Sequence, residues 1–261
     1  MAGASIDRPN ISAAASGFKE WICSFSGCDG GNENWPIWIC GIESGFARNR
    51  EWDEATYKRE INDYYSKKLP AEMALGKYSP PCKSSFSEHL QYQYVLKAAK
   101  LCTVIHGAEL EQVREYAKEL LVFRFNLSPI ALRNTDKSLW EQHHLDRITG
   151  LATKELFRAW CFLHRYPWIA GQVTEHRPKL VIGTGTGYLT DFLCAFGDGG
   201  AIDSIHREDI AAGDTSRPLY WTKVNNATTI AVTPFLGGAT GLNSDELIKA
   251  FGRRLANLMN A

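Results

Sequence analysis

"WPIWICGIESGFARNR", residues Trp35 to Arg50, decides how this chain is read. The run WPIWICGI is apolar at odd and even positions alike. A strand with one wet face alternates, whereas a strand apolar on both faces belongs in a sheet covered on either side. The run stops at Gly41, and a carboxylate, Glu43, follows between Gly41 and Gly45. The expectation is a buried strand that ends in a tight glycine turn carrying one acid.

Three further stretches share this character. "LLVFRFNLSPIAL" reads as a second strand ending near Asn126, and "RPKLVIGTG" as a third, again apolar on both faces. "RPLYWTKVNNATTIAVTPF" reads as a hairpin turning at Asn225-Asn226. Helical spacing lies between them: "EWDEATYKREINDYYSKKL", "SFSEHLQYQYVLKAAKLCTVIHG" with Ser85 or Ser87 as its cap, "AELEQVREYAKEL", "DKSLWEQHHLDRITG", "TKELFRAWCFLHRYPWIAGQVTEH" and "TGYLTDFLCAFG". "NSDELIKAFGRRLANLM" closes the chain as a helix capped by Asn243 or Ser244, with Glu246 placed for a capping box. Strands alternating with long helices give an α/β class, a three-layer α/β/α arrangement around a largely parallel central sheet of about four strands. Residues 1–16 read as a flexible N-terminal arm and residues 17–261 as one domain, because no repeat or break in composition divides them.

The 261 residues carry 29 Lys+Arg and 29 Asp+Glu, so overall charge points to no polyanion, although a local basic patch suffices for phosphate contacts. Seven cysteines stand at scattered spacings without a C-x-x-C pair, which argues against an iron–sulfur or zinc site. The start lacks the basic and apolar regions of a signal peptide, and no apolar run reaches membrane-spanning length. The expectation is a soluble cytoplasmic monomer with no metal, cofactor or membrane contact.

In sheets of this kind ligands gather at the carboxyl ends of the strands, here Gly41–Gly45, Asn126–Pro129, Gly183–Gly187 and Thr233–Gly238. "LVIGTGTGYLTDFL" places a G-x-G-x-G turn between a strand and a helix, which suits a phosphate at the helix start and a nucleotide- or S-adenosylmethionine-dependent enzyme. The plainer structural reading is glycines that let strand and helix pack closely. No acid stands ready to hold a ribose, and too little chain follows for a whole cofactor domain. The polar groups at the other ends say more together. Glu43 can polarise a water, and Asn126 carries a donor and an acceptor for a base edge. Taken singly, the Glu is a solvated side chain and the Asn a turn residue. His143, His144 and His176 lie on helices without ligand-spaced partners and read as solvated or capping groups.

In this order the chain resembles the uracil-DNA glycosylase superfamily. "IWICGIESG" is similar to that family's first motif, with Glu43 where an Asp or Asn usually handles the attacking water. "VFRFNLSPIAL" looks like the strand whose Asn, here Asn126, reads the base. "IAVTPFLGGATGLNSDEL" looks like the last motif, whose loop enters the DNA minor groove. The likeness runs from about Trp35 to the C-terminus. Two positions depart from it. Ser44 replaces the usual Pro, and Thr233-Pro234-Phe235 replaces a His-Pro-Ser-type triplet.

The resemblance implies a glycosylase that flips a nucleotide and hydrolyses its N-glycosidic bond. Glu43 and Thr233 are then the catalytic candidates. Ile42 and Ser44, through their backbone N–H groups, join Phe46 and Asn126 as candidates for holding the base, with Trp52 and Tyr57 as other stacking aromatics. Arg48, Phe235, Leu236, Gly237, Gly238 and Leu242 are the candidates for meeting DNA, joined by Lys223 and Arg50 for phosphate. Apolar wedges among these fill the gap that a flipped base leaves. Gly237, Gly238 and Gly241 suit a widened pocket. The departures imply a substrate other than plain uracil, such as a modified base of the kind phages use. The competing expectations are an inactive member that binds DNA or a nucleobase, and the cofactor-dependent enzyme using Gly183–Gly187.

Overall fold

The computed structural model describes residues 12–45, 53–77, 85–132, 136–197, 204–224 and 227–261. The first part of the expected N-terminal arm lies outside these residues. Its last five positions belong to the helix Ser12–Ile22, so helical structure begins before Gly17.

The protein is α/β. Its strands among the described residues are β1 (Ile37–Gly45), β2 (Val122–Leu132), β3 (Leu180–Thr184), β4 (His206–Ala212), β5 (Thr215–Val224) and β6 (Thr228–Thr233). They form one sheet in the order β2-β1-β3-β6-β5-β4. The ladders β1–β2, β1–β3 and β3–β6 are parallel, while β5 runs antiparallel to both β6 and β4. The sheet is thus mixed and six-stranded, where about four strands were expected. β5 and β6 are the expected hairpin, whose residues Asn225-Asn226 lie outside the described set. β4 is the unexpected strand. It turns into β5 at Gly213, which has φ +58°. Its sequence HREDIAA is mostly charged or small and its side chains alternate in exposure, as on an edge strand with one wet face.

The two-sided apolar reading of the central strands holds. Ile37, Trp38, Ile39 and Cys40 are all buried, as is every residue of β3 and β6. Successive residues enter opposite cores because side chains alternate across a strand. Trp38, Cys40, Phe123, Phe125 and Val181 pack on one face with the helices Ser12–Ile22, Tyr166–His176 and Leu189–Phe196. Ile37, Ile39, Leu180, Ile182 and Ala231 pack on the other with the helices Gln93–Ile105 and Asp245–Asn260. Each Ile, Leu, Val or Phe among them is worth roughly 1.5–3 kcal/mol on full burial.

Helix starts shift from their expected places. Ser85 and Glu88 make their capping box around the single turn Phe86–Glu88, and the long helix begins only at Gln93. At the last helix Ser244, not Asn243, is the cap and accepts from the Leu247 N–H at 3.2 Å. Glu246 therefore sits one position too early to reach back in a capping box, and serves as a first-turn acid instead.

One buried cation organises the site end of the sheet. Arg165 is fully buried and ends the widened turn Cys161–Arg165. Its guanidinium donates to the main-chain carbonyls of Ile22, Ser24 (3.2 Å) and Ser26 (3.0 Å) around the end of the first helix and of Asn126 (2.9 Å) and Leu127 in β2, and to the Ser26 hydroxyl at 3.4 Å. A planar fork of five donors suits such a cluster. The segment Ile22–Ser26 is thereby tied to β2 beside Asn126.

Candidate functional site

β1 does not stop at Gly41. Its ladder to β3 ends at Cys40–Gly183, but its ladder to β2 continues through Gly41–Asn126 and Glu43–Ser128, with an irregularity before Gly45. The expected tight turn is thus an extension of the strand along one neighbour only, made possible because β2 itself runs on to Leu132. Asn126 is correspondingly mid-strand rather than at a strand end. Pro129 is tolerated there because β2 lies at the sheet edge. Where β1 leaves β3, the sheet opens at the point where the strand order reverses, and a cavity of about 1040 Å³ fills the opening. This is where open α/β sheets place their ligands.

Asn126 stands in its wall. Gly41 allows this: a Cβ at Gly41 would lie 2.4 Å from Asn126 Oδ1, a distance no side chain tolerates. The amide is held from the other side. Its Nδ2 donates to Asp29 Oδ2 at 2.8 Å and to Gly27 O at 3.2 Å. Asp29 is fixed in turn by backbone pairing, its N–H to Arg124 O and the Arg124 N–H to Gly30 O, each 2.8 Å. Protein surrounds the Asp29 carboxylate, yet its surface is exposed, open to the cavity it lines. Loss of bulk water pushes its pKa up, against the Asn126 N–H, Arg124 and His89.

Glu43 lines the same cavity. Its Oε1 lies 2.7 Å from Lys154 Nζ, with side chains 11% and 14% exposed. Burial pushes the carboxyl upward, and the Lys154 hydrogen bond and charge hold it down. Its Oε2 is buried without a hydrogen-bond partner among the described residues, as is Ser128 Oγ beside it. Behind Glu43 lies a second cavity of about 260 Å³, which also reaches Lys154, Ser128 and the Arg158–Asp191 ion pair. Ile42, Glu43 and Tyr188 border both spaces.

The remaining walls are aromatic. Phe235, half exposed, stacks on Tyr94 with ring centroids 5.6 Å apart and planes 23° apart. The Tyr94 hydroxyl meets Thr184 Oγ1 at 3.0 Å, and Thr184 donates to Cys40 O at 3.1 Å, closing the seam between β1 and β3. Phe86 carries Arg124 over its ring at 4.5 Å.

Several expected residues stand elsewhere. Thr233 is fully buried and does not line the cavity, since its hydroxyl turns to Gly183 O (3.4 Å) and Pro234 O (3.0 Å). Leu236 and Leu242 are fully buried in the core beneath the helix Asp245–Asn260, so neither is a surface wedge. Gly237, Gly238 and Gly241 do not widen the cavity. They let the loop fold on itself: Gly238 has φ +76°, and a Cβ at Gly241 would lie 2.1 Å from Gly237 O. Tyr57 is core, and Lys223 is exposed on β5. Ile42 and Ser44 are carried by β1, while Phe46, Arg48, Arg50 and Trp52 lie outside the described residues. Gly183 has the plainer role, because a Cβ there would lie 2.6 Å from the Phe192 ring. Thr184 to Tyr188 nevertheless border the cavity.

The sequence reading missed Asp29, Tyr94 and Lys154. Asp29 lies in GCDGGNEN, which reads as an ordinary loop; only its approach to Asn126 gives it meaning. Among the described residues no helix is long and apolar enough to cross a membrane, and no group of His, Cys, Asp or Glu has a metal-holding arrangement. No protein-family model matches this chain, and no curated protein matches it.

Proposed function

We propose that this chain is a DNA glycosylase of the uracil-DNA glycosylase type, which hydrolyses the N-glycosidic bond of a flipped, modified base. The observation that carries the reading is a single cavity, at the carboxyl edge of the parallel strands, lined by both Glu43 and Asn126. The run of four mutually parallel strands, β2, β1, β3 and β6, supports that reading. The cavity is at the upper end of the range for small-molecule sites, which suits a base carrying a substituent.

Cleavage builds positive charge on the sugar and negative charge on the departing base. The Glu43 carboxylate stabilises the first and orients the attacking water. Lys154 favours the ionised form of Glu43, against the burial that raises its pKa. Asn126 fixes the base, and the Phe235–Tyr94 pair offers a face for stacking. The test is incubation of the protein with oligonucleotides carrying uracil, hypoxanthine, xanthine, or hydroxymethylated or glucosylated cytosine, followed by detection of abasic sites. Failure to form abasic sites with all of them counts against catalysis.

A second reading is favoured by the Glu43–Lys154 contact itself. A carboxylate neutralised at 2.7 Å by a lysine is a weaker base, as in a member that binds a base without cutting it. That reading predicts base-dependent binding with no abasic product.

A further inference from the structure

The wall around Asn126 has a polarity that bears on which base it reads. An amide normally offers a donor and an acceptor side by side. Here both N–H groups of Asn126 are engaged, one by the Asp29 carboxylate and one by Gly27 O. The neighbouring carboxylate also decides which way the amide faces, since the opposite orientation would set two acceptor oxygens against each other. The amide is thereby fixed with its oxygen over Gly41. Beside it the Asp29 carboxylate, an acceptor only when ionised, is exposed to the cavity. Arg124 and His89 on the same wall can donate.

This edge does not suit uracil, which presents a carbonyl, an N–H and a second carbonyl and so needs a reader that donates at its outer positions. It suits a base that points an amino group at Asp29 and Asn126 while its ring nitrogen and carbonyl meet donors alongside. We infer that the pocket selects a base with an exocyclic amino group, of cytosine type, and that Asp29 is the residue that sets this choice by committing the Asn126 amide. The inference rests on the proposed base-binding role of the cavity. It deepens that role by naming an edge and adding a specificity-determining residue from outside the strand motifs.

Cytosine and uracil differ in ring chemistry only at this edge, so they isolate it. The full-length protein is titrated by fluorescence anisotropy with single-stranded oligomers in which one base stands among abasic spacers. The base is borne on a 2′-fluoro sugar that resists cleavage, so binding is read without turnover. Cytosine is expected to bind about tenfold or more tightly than uracil, because the wrong edge leaves buried polar groups unpaired. Asp29→Ser, which lets the amide turn an N–H into the cavity, is expected to bring the ratio to one or below. Asp29→Ala serves as the second variant if circular dichroism shows Asp29→Ser unfolded.

A uracil preference or no preference in the unaltered protein overturns the edge assignment while leaving a base site in place. A ratio that persists in the folded variants removes the assignment to Asp29. Equal binding of the base-bearing and all-spacer oligomers removes the base site itself, and the proposed function with it.

Discussion

Lys154 Nζ lies 2.7 Å from Glu43 Oε1, joining the first turn of the helix Lys154–Trp160 to the carboxyl end of β1. The pair bears on the ionisation of Glu43, which borders both cavities. Burial raises its pKa and Lys154 opposes the rise. In the proposed reaction Glu43 acts as a carboxylate, so activity should be full above its pKa and lost as pH falls through it. Lys154→Met removes the opposing charge, and the acid limb of kcat/KM against pH is expected to move to higher pH. An unmoved limb would show that Lys154 does not tune Glu43.

Glu43→Gln keeps the size of the side chain and removes the charge. Loss of a positioned base or charge stabiliser costs about 10²–10⁴-fold in rate. Abasic product should fall by that much in single-turnover assays while oligonucleotide binding persists. Turnover retained within a few-fold would reject Glu43 as catalytic.

Gly41→Ala introduces a methyl 2.4 Å from Asn126 Oδ1, so the amide or the strand must move. Overpacking of this kind costs about 1–3 kcal/mol. A lower urea midpoint is expected together with loss of discrimination between bases. Discrimination left intact would mean that the amide does not read the base.

Phe235, Leu236 and Leu242 should separate cleanly. Phe235→Ala removes a half-exposed ring, and is expected to weaken DNA binding while changing stability by less than about 1.5 kcal/mol, the upper worth of an aromatic pair. Leu236→Ala and Leu242→Ala empty fully buried positions and should each cost about 2–5 kcal/mol. Chemical denaturation beside a binding titration distinguishes the two classes. A large stability loss from Phe235→Ala would place it in the core instead.

Arg165→Met removes the donors that tie Ile22–Ser26 to β2. Leaving several buried carbonyls unpaired costs about 1–3 kcal/mol for each group fully lost, so a strongly destabilised protein is expected. Arg165→Lys should recover part of the stability, because an ammonium reaches some of these carbonyls but not all. Wild-type stability in Arg165→Met would dismiss the tie.

Much of the sheet was legible in the chain. β1, β3 and β6 declare themselves because burial on both faces leaves no room for polar residues, and period-two alternation then assigns Trp38 and Ile39 to opposite cores. The glycines around Glu43 and the Asn after VFRF all stand along one cavity. β4 was hidden because an edge strand with one wet face tolerates charge, and HREDIAA lacks the apolar run that marks the other strands. Leu236 and Leu242 were misjudged because glycines beside leucines look the same in an open DNA-facing loop as in one folded onto a core.

The sequence by itself determined the α/β class and the buried strands, and marked Glu43 and Asn126 as polar groups beside apolar runs, since these follow from local polarity and spacing. Only the tertiary structure decided what those groups do to each other and to their neighbours. Asp29 from a loop holds the amide of Asn126, Lys154 from a distant helix pairs with Glu43, and Thr233 turns away into the sheet. Such pairings join residues far apart in the chain. Their energies depend on a few ångströms of approach and on exclusion of water, and neither is written in the order of residues.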